Sequence, residues 1–400
     1  MKIVELDIDG FRSLKNVRWN PGDLNVLIGP NGAGKSNLLR VLELMAIAAQ
    51  GSLGRHILSS GGMGSIVWDG RSPEVRVRVH ATRPPEHAAL YASDLAYDIL
   101  LVRLGQSAGY VIDRELLGNF PREGNPLSDS PLALLQRAPS HNAVLYDERQ
   151  KAIADLPRGL LKDEETVLSK LTEVSPTARL TTPYRQYFSE FSIYHDIQVQ
   201  RASLVRGAVV SRAETRVDVD GQNLVNVLHT LYESNEQFVE DVDSAMLAAF
   251  GTEFHKLVFP PAADQRIQLG LRWRSLNRTQ AAADLSDGTL RFLFLITVLA
   301  NPSPSPLIAI DEPETGLHPS MFPIVAEYAA QAAERTQVIF TTHSPQFLDA
   351  FRDVVPTTTV ATCEHGETKL TTLSGDDLQN WLKSFSLGTL FADGDLEAMA

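Results

Sequence analysis

Gly29-Pro30-Asn31-Gly32-Ala33-Gly34-Lys35-Ser36 decides how the chain is read. Four residues separate the first glycine from a Gly-Lys-Ser ending, the spacing of a phosphate-binding P-loop. An apolar run at 24–28 leads in and reads as a buried strand. A helical pattern follows, with Leu38, Leu39, Val41, Leu42, Met45 and Ala49 three and four residues apart, and Gly51 ends it. Strand, glycine loop and helix together aim backbone N–H groups and a helix N-terminus at one place, which attracts phosphate. Asn31, Gly32, Ala33, Gly34, Lys35, Ser36 and Asn37 are therefore the expected nucleotide-binding residues. Lys35 is expected on the β- and γ-phosphates and Ser36 on Mg²⁺.

A second constellation lies near the other end. The strand pattern 306–310 runs into Asp311-Glu312, the Walker B arrangement. Asp311 is expected to hold Mg²⁺, and Glu312 to orient or deprotonate the attacking water. Another apolar strand, 338–342, ends at His343, a candidate sensor of the γ-phosphate. Between loop and Walker B, Leu285-Ser286-Asp287-Gly288-Thr289 precedes an apolar helix over 290–299, which Ser286 or Asp287 can cap.

Outward from these motifs the chain reads as follows. Residues 2–9 alternate apolar and polar, as a half-buried strand does, and a second strand is expected around 16–19. Residues 75–80 alternate as well. Segments 97–103 and 110–115 flank a glycine-rich turn and suggest a hairpin. These make an antiparallel β layer. Pro121 to Pro139 reads as loop, 148–173 as broken helix, 191–199 as strand-like, and 223–250 as strongly helical. The expected organisation is α/β. Residues 1–120 carry the P-loop and the antiparallel layer; 121–264 form a mainly helical insert. Residues 265–400 complete a mixed or parallel sheet core. No repeat or sustained heptad is present, which argues against long coiled-coil arms.

Composition narrows the function. At 44% apolar residues the chain can fill a core, and its net charge of −13 gives the whole molecule no pull on DNA. A nucleic-acid site would have to be local. Arg201, Arg206, Arg212 and Arg216 form one basic run, and Arg272, Arg274 and Arg278 another. A single cysteine, Cys363, excludes an internal disulfide and a cysteine-rich metal site. The first residues lack the shape of a signal peptide, and the longest apolar run, 292–300, is too short for a bilayer. A soluble cytoplasmic protein with no membrane partner is expected.

The ordered set of P-loop, Leu-Ser-Asp-Gly, Asp-Glu-Pro-Glu, Thr-Gly-Leu-His-Pro and Thr-Thr-His-Ser-Pro resembles the ABC-type ATPases of the SMC, RecF and OLD kind. Stand-alone bacterial ATPases labelled AAA-family are more similar still. The resemblance covers about 1–120 and 265–400 well and the middle loosely. It implies that ATP and Mg²⁺ are bound, and that ATP is hydrolysed by Glu312, His343 and Lys35. It also implies that Ser286 and Gly288 bind the γ-phosphate of ATP held by a second copy, so that a homodimer closes around nucleotide. Residues 314–318 would form the D-loop. The signature departs from Leu-Ser-Gly-Gly-Gln, with Asp287 and Thr289 in place of glycine and glutamine, and Gln198 and Gln200 are candidates for the Q-loop glutamine. With 57 residues after His343, the Toprim nuclease domain of OLD proteins is not expected. The expected role is DNA maintenance or phage defence; the alternative is a nucleotide-dependent switch that regulates an effector or toxin.

Overall fold

The computed structural model describes residues 1–85, 91, 93–105, 108–118, 133–138, 143–147, 151–156, 159, 161–174, 179–351, 354–373 and 386–396. They fall into two compact units. One comprises residues 1–22, 29–191 and 359–372, the other 23–28, 192–358 and 373–400.

The first unit is built on an antiparallel sheet. With strands numbered along the chain, β1 (Ile3–Phe11), β2 (Leu14–Trp19), β4 (Glu74–Ala81), β5 (Leu95–Arg103), β6 (Tyr110–Gly118), β7 (Ala133–Arg137), β8 (Val144–Asp147) and β9 (Ala152–Asp155) lie in the order β2-β1-β4-β5-β6-β7-β8-β9. The alternation in 2–9 and 75–80 is that of strands packed on one face; Ile3, Leu6, Ile8, Val75, Val77 and Val79 are all buried. Helix α1 (Lys35–Gln50) packs against α2 (Leu53–Ser59), α3 (Val167–Val174) and α4 (Thr182–Ser189). Gly51, at φ 78°, closes α1, and its N–H donates to Ala48 O.

Residues 121–264 hold α3, α4 and two more helices, Leu224–Ser234 and Glu236–Phe250, and also the strands β7 to β9. These strands extend the antiparallel layer; of the stretch 121–139, expected as loop, 133–137 is the strand β7, and 121–132 and 139 lie outside the described residues. Four- and five-residue strands carry little periodicity, and every residue of β9 is exposed, so no apolar alternation marks it. Boundaries at 120 and 264 accordingly do not coincide with the edges of the two units.

The second unit holds a parallel sheet. Its strands β10 (Ser192–Tyr194), β17 (Leu307–Asp311), β18 (Gln337–Thr342) and β3 (Leu24–Ile28) lie in that order, with Tyr194 opposite Ile310, Asp311 opposite Thr341, and Thr342 opposite Ile28. Strands buried on both faces read as continuous apolar runs rather than alternation, and 24–28 and 307–310 are buried throughout. Strands β11 (Val209–Val210), β13 (Pro261–Ala262) and β14 (Arg266–Ile267) form one small sheet, and β12 (Phe254–Val258), β15 (Gly270–Trp273) and β16 (Gln280–Ala281) another. Helices α5 (Leu224–Ser234) and α6 (Glu236–Phe250) fill the 223–250 pattern, broken where the Asn235 side chain caps α6. Helix α7 (Asp287–Leu299) packs on α5, α6 and α8 (Phe322–Ala333), and α8 on β3 and β18.

One buried carboxylate ties sheet to helix in the first unit. Glu115, fully buried on β6, accepts hydrogen bonds from the N–H groups of Val167 (2.6 Å) and Leu168 (2.9 Å) and from Tyr97 Oη (2.8 Å). It serves as the N-terminal cap of α3 from across the chain. Replacing Glu115 by Ala strands three buried donors, so Glu115→Ala is expected to lose about 3 kcal/mol of unfolding free energy. Urea denaturation measures this; a loss under about 1 kcal/mol would place the anchor of α3 elsewhere.

Candidate functional site

The glycine loop occupies residues 29–34 of the first unit, directly after the last residue of β3. Ala33 N–H closes a turn on Pro30 O at 3.2 Å, and α1 starts at Lys35. Gly34 has φ 95°, and a Cβ there would collide with the Thr368 hydroxyl, so only glycine fits. Gly32, at φ 84°, has nothing within 4 Å of where a Cβ would stand. The loop is thus packed on one side and open on the other. Lys35 is buried, and its ammonium donates to Gly29 O (2.6 Å) and Pro30 O (3.1 Å), holding it across the loop.

Two residues that sequence reasoning missed brace the packed side. Ser13 Oγ and Thr368 Oγ1 are 2.7 Å apart, Thr368 Oγ1 donates to Ala33 O at 2.9 Å, and Thr368 N–H donates to Ser13 O at 2.8 Å. Asn37, expected among the nucleotide ligands, has its side-chain amide on Ser13 Oγ at 2.8 Å. Its side chain braces the loop instead. Ser13 lies in the turn Phe11-Arg12-Ser13-Leu14, a weak local hint; Thr368 carries no local signal, because its role depends on a pairing 355 residues away in sequence.

The acidic residues stand at the C-terminal edge of the parallel sheet in the second unit, where ligands of α/β proteins collect. Asp311 ends β17, and the Thr341 hydroxyl donates to its Oδ1. On its other side His195 Nδ1 lies 3.6 Å from Asp311 Oδ2. Glu312 follows with φ 48°, a left-handed conformation uncommon for a residue with a side chain. Its N–H donates to Thr341 O (3.1 Å) and Thr341 Oγ1 (3.2 Å). That turn swings the carboxylate toward solvent, where His343 Nδ1 meets Glu312 Oε1 at 3.1 Å. The structure therefore brings Asp311, Glu312 and His343 together on two adjacent strand ends.

Beyond them the chain turns twice, with Thr315 N–H on Glu312 O and Leu317 N–H on Glu314 O, both at 3.1 Å. Glu314 is 8% exposed and takes the Thr342 hydroxyl on Oε1. Burial pushes its carboxyl above the usual carboxylate range, the Thr342 hydrogen bond opposing this. This Glu312-to-Leu317 turn meets the signature: a Cβ on Gly288 would stand 2.6 Å from Gly316 O, so the start of α7 and the 314–318 segment pack backbone to backbone.

Ser286 caps α7, accepting from Thr289 N–H at 3.1 Å. Asp287 takes the Arg206 guanidinium, which neutralises the carboxylate that replaces glycine in this signature. Arg206 also donates to the carbonyls of Val199 (2.6 Å), Ala282 (3.2 Å), Ala283 (3.3 Å) and Leu285 (2.7 Å), and its side chain is 8% exposed. This overturns its place in a DNA-facing basic run. Arg216 donates to Ser303 O at 3.1 Å, and Arg278 lies 3.8 Å from Asp284. Arg201, Arg212, Arg272 and Arg274 are exposed. Gln198 and Gln200 are exposed as well; the Gln198 carbonyl is engaged by Ser203 Oγ and Gln222 Nε2, and the residue that leaves β10 beside Asp311 is His195.

Each unit carries groups suited to a magnesium nucleotide. In the first, an open glycine loop at a helix start suits a polyphosphate, and the Ser36 hydroxyl is a hard oxygen donor; in the second, the Asp311 carboxylate is another donor of the type Mg²⁺ takes.

Among known proteins, an OLD nuclease of Thermus scotoductus is 25% identical over 366 residues, which cover 87% of this chain and 60% of the relative. The chain thus spans about three-fifths of that protein's length. An SMC head bound to the C-winged helix domain of ScpA matches 95% of this chain and 100% of its own, with TM-score 0.57 and 12% identity. An SMC head with an extended coiled coil, bound to the C-terminal domain of ScpA from Pyrococcus furiosus, covers 96% and 98% with TM-score 0.56, again at 12% identity. At such identities the likeness is one of fold, that of an SMC head. Residues 24–349 match the model of one family, and on that match the chain belongs to the family described as AAA domain, putative AbiEii toxin, Type IV TA system.

Proposed function

We propose that the chain binds and hydrolyses ATP, and that nucleotide closes a head-to-head homodimer. The observation that carries the reading is the trio Asp311, Glu312 and His343 on the edge of the parallel sheet, in a chain that also holds the glycine loop. Lys35 would bind the β- and γ-phosphates, with backbone N–H groups of residues 31–36 around them. Ser36 and Asp311 would hold Mg²⁺, which neutralises developing charge on the phosphates. Glu312, turned outward and in contact with His343, has the exposure a base for water needs. Ser286 and Gly288, at the start of α7, would meet the γ-phosphate of ATP on the second copy, with Asp287 drawn aside by Arg206.

If Glu312 is the base, Glu312→Gln lowers kcat by about 100-fold or more while ATP still binds, and the dimer accumulates. Steady-state phosphate release with light scattering measures both; a variant that keeps near-normal turnover would remove Glu312 from the mechanism. Lys35→Ala should abolish ATP binding, read by equilibrium titration with a fluorescent ATP.

For the wider role, the family description and the ScpA-bound heads support a protein partner, an effector regulated by nucleotide state. A role on DNA, in maintenance or phage defence, keeps fewer basic residues, since Arg206 is committed to the signature loop. Arg206→Ala is expected to cost about 2–3 kcal/mol in stability, and Arg201→Glu under about 0.5 kcal/mol, both by chemical denaturation. A duplex-DNA titration of Arg201→Glu then addresses DNA directly: stimulated hydrolysis in the parent chain that this change weakens, with a flatter salt dependence, would restore the DNA reading.

A further inference from the structure

The row of residues that crosses the edge of the parallel sheet has a member that neither the motifs nor the comparisons assign. Strands β10 and β17 pair in register through Ser192 with Ile308, Ile193 with Ala309, and Tyr194 with Ile310. The residue that follows β10, His195, lies beside Asp311, as Thr341 of β18 does on the opposite side. The imidazole is 19% exposed and the Asp311 side chain 16%, so water screens their interaction weakly. His195 Nδ1 faces Oδ2 at 3.6 Å while the Thr341 hydroxyl serves Oδ1. Each oxygen of the carboxylate has its own neighbour.

The backbone that presents His195 is firmly held. Ser192 Oγ and Ser305 Oγ are 2.7 Å apart, Tyr194 Oη donates to Val217 O at 2.9 Å, and the Tyr194 ring meets Phe294 of α7 edge-on at 5.0 Å. Three bracing contacts on a three-residue strand fix the backbone from which His195 emerges, and its Nδ1, buried and 3.6 Å from Asp311 Oδ2, stands just beyond hydrogen-bond reach of the carboxylate.

We propose that His195 is a positioning residue for the Asp311 carboxylate, fixing the rotamer in which Asp311 offers an oxygen to Mg²⁺. The inference rests on the ATPase reading and adds a residue to it. Partners of a metal-binding carboxylate act this way, orienting the ligand rather than touching the metal. Gln198 and Gln200 lie three and five residues further on, both exposed, whereas His195 is at the strand end itself.

The test uses the full chain with Mn²⁺ as the probe for the divalent site and a non-hydrolysable ATP analogue present. Mn²⁺ affinity is read by electron paramagnetic resonance, alongside kcat, KM for ATP and the melting temperature, for the parent, His195→Ala and His195→Gln. His195→Ala should weaken Mn²⁺ about tenfold and lower kcat, with KM for ATP within twofold of the parent. His195→Gln, whose amide can still reach the carboxylate, should regain most of both losses. Unchanged Mn²⁺ affinity in His195→Ala would overturn the proposal, and so would a glutamine variant as impaired as alanine while its melting temperature matches the parent's. Absence of nucleotide-dependent Mn²⁺ binding in the parent chain would overturn the ATPase reading itself, an outcome distinct from parent binding that is indifferent to His195.

Discussion

The in-register pairing of parallel strands β10, β17, β18 and β3 is the constraint on which the rest of the candidate site depends. A parallel ladder fixes the advance of each strand against its neighbour, so residues at the C-terminal ends come out level. His195, Asp311 and Thr341 form one level, and Glu312 and Thr342 begin the next. Because side chains alternate with period two, a slip of one residue on any strand would turn its functional side chain to the wrong face. Burial of 24–28 and 307–310 keeps the body of the sheet apolar, and the polar residues gather where the ladder ends, held there by the Thr341 hydroxyl on Asp311 and by the Glu312 N–H on Thr341.

Much of this was legible in the sequence, for a physical reason. The loop-and-helix 29–50, the strand before it and the strands ending at Asp311 and Thr342 are all local patterns: a run of apolar residues, a glycine spacing, a helical period. Their boundaries in the structure fall within a residue or two of those patterns. Ser286 was readable as a helix cap because capping is also local.

What escaped the reading is non-local. Ser13, Thr368, Arg206 and His195 acquire their roles from segments far away in the chain, and beyond the turn that holds Ser13 nothing in their immediate neighbours distinguishes them. Arg206 is the instructive case. In sequence it is one arginine of a basic run, yet the fold surrounds its guanidinium with four carbonyls and Asp287. A charge counted as surface potential is in fact a fastener of the signature loop. Strands β7 to β9 were missed for another reason: four or five residues are too few to leave a periodic trace, and β9 is exposed throughout.

Glu312 carries a last consequence. Its positive φ costs on the order of 1 kcal/mol or more for a residue with a side chain. Glycine would adopt the same backbone without strain, and would give up the carboxylate that meets His343. Thermodynamic stability and chemical competence therefore rank the residues at this position in opposite order. Sequence optimisation guided by folding energy alone would be drawn to remove an acid that the edge of the sheet turns outward, which makes position 312 a place where a more stable protein is a less capable one.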